Sequence, residues 1–302
     1  TDANGCMLDT TITLSEPPTR VEADLSLSIY PSGTNVSCFG ASDGSIDATI
    51  TNGSGPYVFS WRGPDEIEFA NTEDISGLPA GDYAYELVVT DANQCSFFTM
   101  VTLTQPDSAL LATATSTLYN GFGTTCNGAS DGAITLAISG GNGGHTVSWS
   151  GPDGYASTSQ DIAGLTSGTY TATVTDINGC TAQQEVVIAA PEPIVPTLNT
   201  SLFPGGTQLS CATAQDGSIE IVTTGGVQPF AYAWSGHDGF SSSDAMIIGL
   251  GAGTYCVAIT DANGCIAESC TTLQAPAALQ VTATASASAC AANNGSVDLT
   301  VA

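Results

Sequence analysis

Basic residues are nearly missing from this chain. Its 302 residues include no lysine, and Arg20 and Arg62 stand against 29 acidic side chains, for a net charge of −27. Nucleic acids and anionic bilayers are held through stripes of Lys and Arg, so both are excluded as partners. The same charge keeps the chain soluble and makes copies repel each other. No run of about 20 apolar residues occurs, which excludes a membrane-spanning helix in this segment. Histidine is confined to His145 and His237, and no Cys-x-x-Cys or Cys/His cluster has zinc-ligand spacing. Helix signals are missing too, because Gly and β-branched residues interrupt every candidate window.

What the chain does have is a hexapeptide that returns four times. Residues 1–6 read TDANGC, 90–95 TDANQC, 175–180 TDINGC and 260–265 TDANGC. The four cysteines lie 89, 85 and 85 residues apart. That period is too long for a solenoid turn and right for one small domain. Before the last copy, Tyr255, Val257 and Ile259 alternate with Cys256, Ala258 and Thr260, giving a strand with one apolar face. Asp, Asn and Gly then supply turn geometry, and residues 266–273 return as a second strand.

The period divides the chain into the end of a preceding repeat (1–16), three complete repeats (17–106, 107–191 and 192–276) and the start of a following one (277–302). A strand is expected over Met7 to Leu14, and another over Ala23 to Tyr30. Ile46, Ala48 and Ile50 alternate next, then the aromatic column Tyr57, Phe59 and Trp61. Trp149 and Trp234 keep that register. Gly81-Asp82-Tyr83 opens the hairpin strand of the first repeat, with Tyr83, Tyr85, Leu87 and Val89 facing in. Seven or so short strands with turns every 8–12 residues predict an all-β fold of tandem immunoglobulin-like β-sandwich domains. Short Pro-rich junctions predict an extended, stiff array, about 130 Å long if strands run about nine residues. The chain starts inside a hairpin and stops inside a strand. It therefore reads as an interior piece of a longer protein, with its export signal and anchor elsewhere.

The combined motifs resemble a known family. CxGxSDGSI (from Cys38), PYxxxW (from Pro56), SGLxAGxY (from Ser76) and VTDANxC (ending at Cys95) are similar to the SprB-type repeat. That family builds very large surface adhesins of gliding bacteria in the Bacteroidetes group, exported by type IX secretion. The resemblance implies an extracellular or cell-surface stalk, fibre or motility adhesin, with neighbouring repeats as its main contacts. Other copies in a fibre, or surface glycans, are the further partners it implies. Two positions depart from the pattern: Gln94 replaces the turn Gly, and His145 stands where an aromatic is usual.

An enzyme is the first reading to set aside. His145 occupies the place of Tyr57 and Phe230, and His237 that of Pro64 and Pro152. No Ser/His/Asp or Cys/His set appears, and catalysis is not expected at equivalent positions of repeated modules. No cofactor is expected, with calcium as the one candidate. Asp43, Asp131 and Asp216 recur before the second strand, and Asp91, Asp176 and Asp261 in the hairpin turn; oxygen-rich loops of this kind hold a hard cation or cap their own backbone. A glycan-binding module is the alternative function, and Phe69, Tyr155 and Phe240 are its candidate contact residues. Asn35, Asn52, Asn199 and Asn294 fit the N-x-Ser/Thr sequon. Thr10 and Ser108 follow Asp residues in short O-glycosylation-like triplets.

Ten cysteines, widely and periodically spaced, read as disulfides formed in an oxidising compartment. Cys256 and Cys270 are symmetric about Asn263 and should face each other across the hairpin, where the first repeat carries Ala84 and Met100 and the second Thr171 and Glu185. The recurring cysteines allow three schemes. Pairing within a repeat joins Cys38 to Cys95, Cys126 to Cys180 and Cys211 to Cys265, but in an immunoglobulin-like sandwich those loops lie at opposite ends. Pairing of sequence neighbours such as Cys95 and Cys126 joins the far ends of two stacked domains. Staples between domains, Cys38–Cys180 and Cys126–Cys265, join surfaces that abut. They leave Cys6, Cys95, Cys211 and Cys290 to pair beyond these residues or stay reduced. Within-repeat pairing stays open if the first strand doubles back.

Overall fold

The computed structural model describes residues 1, 3–13, 20–64, 66–287, 290 and 295–302. The chain is all-β, built from antiparallel sheets, with two single 3-10 turns at Pro152–Gly154 and His237–Gly239. These residues group into two compact units. One comprises Thr1–Ala114, Thr135–Gln160 and Tyr170–Glu185, and the other Thr115–Ile134, Asp161–Thr169 and Val186–Ala302.

The first repeat lies wholly in the first unit. Its strands are β1 (Ala23–Leu27), β2 (Gly44–Ile50), β3 (Val58–Arg62), β4 (Glu68–Ala70), β5 (Ile75–Leu78), β6 (Tyr85–Thr90) and β7 (Ser96–Val101). They form a three-stranded sheet, β1-β2-β5, and a four-stranded sheet, β4-β3-β6-β7. This is an immunoglobulin-like sandwich in which the fourth strand pairs with the third. Alternation drives it: Ile46 and Ala48 from one sheet and Trp61, Leu87 and Val89 from the other are buried in one cluster. The Trp61 indole N–H donates to the Thr72 carbonyl (3.0 Å), so the largest core side chain leaves no polar atom unpaired. Two strand expectations fail. The first strand ends at Leu27, because Tyr30 opens a turn in which its N–H bonds the Thr34 carbonyl. Residues 7–13 form no strand, having no described partner to complete a ladder, and Leu14 lies outside the described residues.

The second repeat supplies β8 (Leu111–Ser116), β9 (Gly132–Ser139), β10 (Thr146–Ser150), β11 (Ala156–Ser157), β12 (Ile162–Leu165), β13 (Gly168–Thr175) and β14 (Thr181–Ile188). The same strand order recurs, as β12-β9-β8 and β11-β10-β13-β14. Most of the four-stranded sheet groups with the first unit, while β12 and parts of β8 and β9 group with the second.

In the second unit the third repeat is complete. It has β15 (Val195–Thr200), β16 (Gly217–Thr224), β17 (Ala231–Gly236), β18 (Ser241–Ser242), β19 (Met246–Leu250), β20 (Gly253–Thr260) and β21 (Ile266–Leu273). Ile219, Trp234, Tyr255, Val257 and Ile259 are buried together. Gly236 is required by packing, since a Cβ there would sit 2.4 Å from the Tyr255 ring. A last hairpin, β22 (Val281–Ser286) with β23 (Ser296–Val301), leaves Val297, Leu299 and Val301 exposed.

Candidate functional site

The hexapeptide folds into one rigid tip three times. In the second repeat, the Asp176 Oδ1 accepts the N–H groups of Asn178 (3.0 Å) and Cys180 (2.9 Å), and the Asp176 N–H donates to the Cys180 carbonyl (3.0 Å). Asp91 and Asp261 make the same bonds in the first and third repeats. The other carboxylate oxygen reaches the loop before the third strand, at the N–H of Ser54, Asn142 or Val227. Gly179 and Gly264 turn the chain at φ +88° and +85°, in the region open to glycine.

The second recurring loop carries the other cysteine. Here the Asp43, Asp131 and Asp216 Oδ1 atoms accept the N–H of Ser37, Thr125 and Ser210, one residue before Cys38, Cys126 and Cys211. All six aspartates proposed as calcium candidates therefore point at amide donors, an arrangement that satisfies carboxylates without a cation. Several are held acidic by it. The Cys95 N–H foremost lowers Asp91, and the hydroxyls of Thr125 and Ser210 lower Asp131 and Asp216. Burial pushes Asp43 and Asp176 up, but hydrogen bonds from Ser37 and Asn142 outweigh it and both end below the usual value. Among the described residues no group of three or more His, Cys, Asp or Glu is placed to hold a metal ion.

Loop and tip meet. Within the first unit Cys38 is bonded to Cys180, with Cα atoms 5.8 Å apart and a sequence separation of 142. Within the second, Cys126 is bonded to Cys265 at 5.7 Å, with a separation of 139. The tip asparagine completes each junction. The Asn178 Nδ2 donates to the Ser37 carbonyl (2.9 Å) and the Ser32 hydroxyl (2.8 Å), while its Oδ1 accepts the Ser32 N–H. The Asn263 Nδ2 donates to the Thr125 carbonyl (2.8 Å), and its Oδ1 accepts from Asn120. The Asn142 Nδ2 adds a bond to the Ser37 carbonyl (2.9 Å) and one to Asp176. Sequence reasoning missed these asparagines by assigning the Asn of the hexapeptide to turn geometry alone. The available signal was an Asn that recurs where a turn itself needs only flexible backbone.

The third disulfide, Cys256–Cys270, lies at directly opposed positions of β20 and β21, with Cα atoms 4.1 Å apart. In the first repeat the residue facing Met100 is Glu86, not Ala84. Two extra residues follow Gly81-Asp82 there, so Tyr85 fills the core place of Tyr255, and Tyr83 packs edge-on against it at 5.6 Å. Cys95, Cys211 and Cys290 form no disulfide, and Cys6 is exposed.

The remaining candidates are scattered. His145 and His237 sit in different units, and His237 pairs with its exposed neighbour Asp238 (3.4 Å). Phe69, Tyr155 and Phe240 each lay an edge against a buried tyrosine, Tyr85, Tyr170 and Tyr255, at 6.1, 5.3 and 5.4 Å. Thr10 and Ser108 are exposed. The sequon at Asn35 is buried, its side chain bonded to Ser28 and Thr104, and Asn294 lies outside the described residues. No helix among the described residues is long and apolar enough to cross a membrane.

Comparison with known proteins gives two kinds of result. A bacterial adhesin described as Ca2+-stabilized, which helps an Antarctic bacterium reach out and bind ice, is 17% identical over 89% of this chain and 78% of its own, with a TM-score of 0.40. A 1.5-MDa bacterial ice-binding adhesin is 11% identical over 84% and 98%, with a TM-score of 0.37. A tetra-tandem repeat from the extending region of a large adhesion protein is 13% identical over 93% and 88%, at 0.26. No curated protein matches the chain. The SprB repeat model matches residues 32–65, 124–154 and 207–239, each running from the cysteine loop to the end of the third strand or just beyond. This chain carries the SprB repeat three times over.

Proposed function

We propose that this chain is a load-bearing stalk segment of a cell-surface adhesin, in which disulfides between successive repeats (17–106, 107–191 and 192–276) stiffen an array used in adhesion or gliding. Its setting is extracellular, in keeping with its three SprB repeats and three disulfides. Its role is structural, not catalytic, and its partners are first its own neighbouring repeats. Any glycans sit at accessible acceptors such as Ser108. The observation that carries this reading is the overlap of the two long disulfide loops, 38–180 and 126–265.

The overlap shortens the path of force. Pulled from its ends, the oxidised chain goes taut along residues 1–38, across to Cys180, back to Cys126, across to Cys265 and on to 302. That path contains about 130 residues, so full extension is about 450 Å, against about 1,050 Å for the reduced chain at roughly 3.5 Å per residue. Even with every sandwich unfolded, more than half of the length stays locked. Single-molecule stretching with and without reductant tests this. A contour length that more than doubles on reduction supports the stapled stalk, and equal lengths rule it out.

A further inference from the structure

Two departures of the first repeat from its siblings meet in one cleft. The residue after the loop cysteine is Asn127 in the second repeat and Ala212 in the third, but Phe39 in the first. The stretch from the last leucine of the three-stranded sheet to the core tyrosine also differs. It holds four residues in the second and third repeats (166–169 and 251–254) and six in the first (79–84). Phe39 and, from the lengthened stretch, Gly81 and Asp82 line a single cleft of about 650 Å³ in the first unit, together with residues 102–107. Phe39 is 49% exposed there. Asn127 instead turns its amide onto the Pro191 carbonyl (3.1 Å). The cleft is also held in shape. The Gln105 Oε1 accepts the N–H of Gly40 (2.9 Å), tying the residue after Phe39 to the opposite wall. The Thr104 N–H (2.9 Å) and hydroxyl (2.8 Å) both donate to the Asn35 Oδ1. What is left to meet a ligand is the Phe39 ring, the exposed Asp82 and Asp107 carboxylates, the Thr102 hydroxyl and the NH₂ of Gln105. Neither Arg20 nor Arg62 lines the cleft.

We propose that this cleft is a saccharide-binding site and that its ligand is a neutral oligosaccharide. A pyranose presents a face of C–H groups and an edge of hydroxyls. An exposed aromatic ring takes the face, and carboxylates accept hydrogen bonds from the edge. The volume is that of a small-ligand site. Sialylated or sulfated glycans are refused, because the cleft offers no cation and the chain carries a charge of −27. A basic peptide would satisfy the carboxylates, but the chain carries 29 acidic side chains in all. What sets this cleft apart is the added ring, which favours a ligand with an apolar face. Phe39 differs in this from Phe69, Tyr155 and Phe240, whose edges lie against core tyrosines in all three repeats. The site goes beyond the stalk reading, since it gives the first repeat a grip that carrying load does not require.

The test titrates the full 302-residue chain by calorimetry and ring-proton NMR. The probes are trisaccharides of glucose, galactose, mannose and N-acetylglucosamine, with sialylated and sulfated trisaccharides and hexalysine as counter-probes. The expected result is saturable binding of at least one neutral trisaccharide, with a Kd of about 0.1–1 mM. It should change little between about 0.05 and 0.5 M salt, because the ligand is uncharged. Phe39→Asn, the residue found in the second repeat, should weaken binding roughly tenfold, and Phe39→Trp should retain it. Asp82→Asn should weaken it roughly fivefold, the difference between a charged and a neutral acceptor. The proposal is overturned if no neutral trisaccharide binds, if Phe39→Asn binds as tightly as the parent chain, or if hexalysine alone binds and salt releases it. Stretching the Phe39→Asn chain still reports the internal staples, so failure here is distinguishable from failure of the stalk reading.

Discussion

The first and third repeats share a core and differ in how the last hairpin is held. In the third, β20 and β21 pair over eight positions, Cys256 is bonded to Cys270, and Gly264 makes the turn. In the first, β6 and β7 pair over six, Glu86 faces Met100 with no covalent link, and Gln94 makes the turn at φ +64°. Phe98 and Met100 are about half exposed on that outer face. Yet Trp61 and Trp234 are equally buried, and each donates its indole N–H to a carbonyl ten or eleven residues on. The inner face, which makes the sandwich, is held constant, while the outer face and the tip carry the variation.

The sharpest way to break that comparison is to remove the tryptophans. Trp61→Ala and Trp234→Ala should each cost about 3–5 kcal/mol, a large part of one small domain's stability. Denaturant unfolding, followed by hydrogen exchange in each repeat, checks it. A cost at Trp61 well below that at Trp234 would mean that the two cores are not equivalent. Next in size is the hairpin disulfide. Replacing Cys256 and Cys270 by the Thr and Glu of the second repeat should remove up to about 3 kcal/mol, the chain-entropy value for a loop of about 15 residues. The loss should appear as faster amide exchange in β20 and β21 with β6 and β7 unchanged.

Much of this was legible in the sequence because period-2 alternation fixes which residues face in. The span of β21, the three buried tryptophans and the facing of Cys256 and Cys270 follow from alternation and symmetry about Asn263. The two-residue slip after Gly81-Asp82 was legible but missed, because the alignment was counted forward from the Gly-x-Tyr entry, where Tyr83 and Tyr85 have the same parity; the symmetry about Asn93 places Glu86 opposite Met100, as the structure does. Tyr85 is then the core tyrosine, and its hydroxyl reaches the Pro79 carbonyl (2.7 Å) as that of Tyr255 reaches Gly251 (3.1 Å). The role of the aspartates stayed open between calcium and backbone capping. A carboxylate in a polar loop can face a cation or an amide, and composition does not tell them apart. The residue before each loop cysteine, whose carbonyl receives the tip, acts through its backbone, so side-chain identity could not reveal it.

Acid should then loosen both repeats. Asp91 in the first and Asp216 in the third are depressed in the folded state by hydrogen bonds to the charged form. Their contribution is fully present above the unfolded value of about 3.9 and is lost as pH falls through the lower folded values. Thermal midpoints should be flat with respect to these groups above about pH 5 and fall steadily below about pH 4. A midpoint that holds to pH 2 would show that the tip and loop bonds add nothing to stability.

The smallest expected effect lies in a single turn residue. Gln94 is exposed and adopts φ +64°, a left-handed conformation that costs an L-residue about 1 kcal/mol or more. Glycine takes that conformation without strain, as Gly264 does at +85°, but it loses more backbone freedom on folding, by about 0.5–1 kcal/mol. The two terms nearly offset, so Gln94→Gly should stabilise the first repeat by no more than about 1 kcal/mol. Gly264→Gln should destabilise the third by a similar amount. Since Gln94 donates its N–H to the Asp91 carbonyl as Gly264 does to that of Asp261, neither change removes a backbone bond. Calorimetric midpoints of the two variants in one buffer decide it. Opposite shifts of similar size mean that the two tips are the same device with different turn residues. A loss of stability in Gln94→Gly would instead show that the glutamine side chain supports the first tip in a way that glycine cannot.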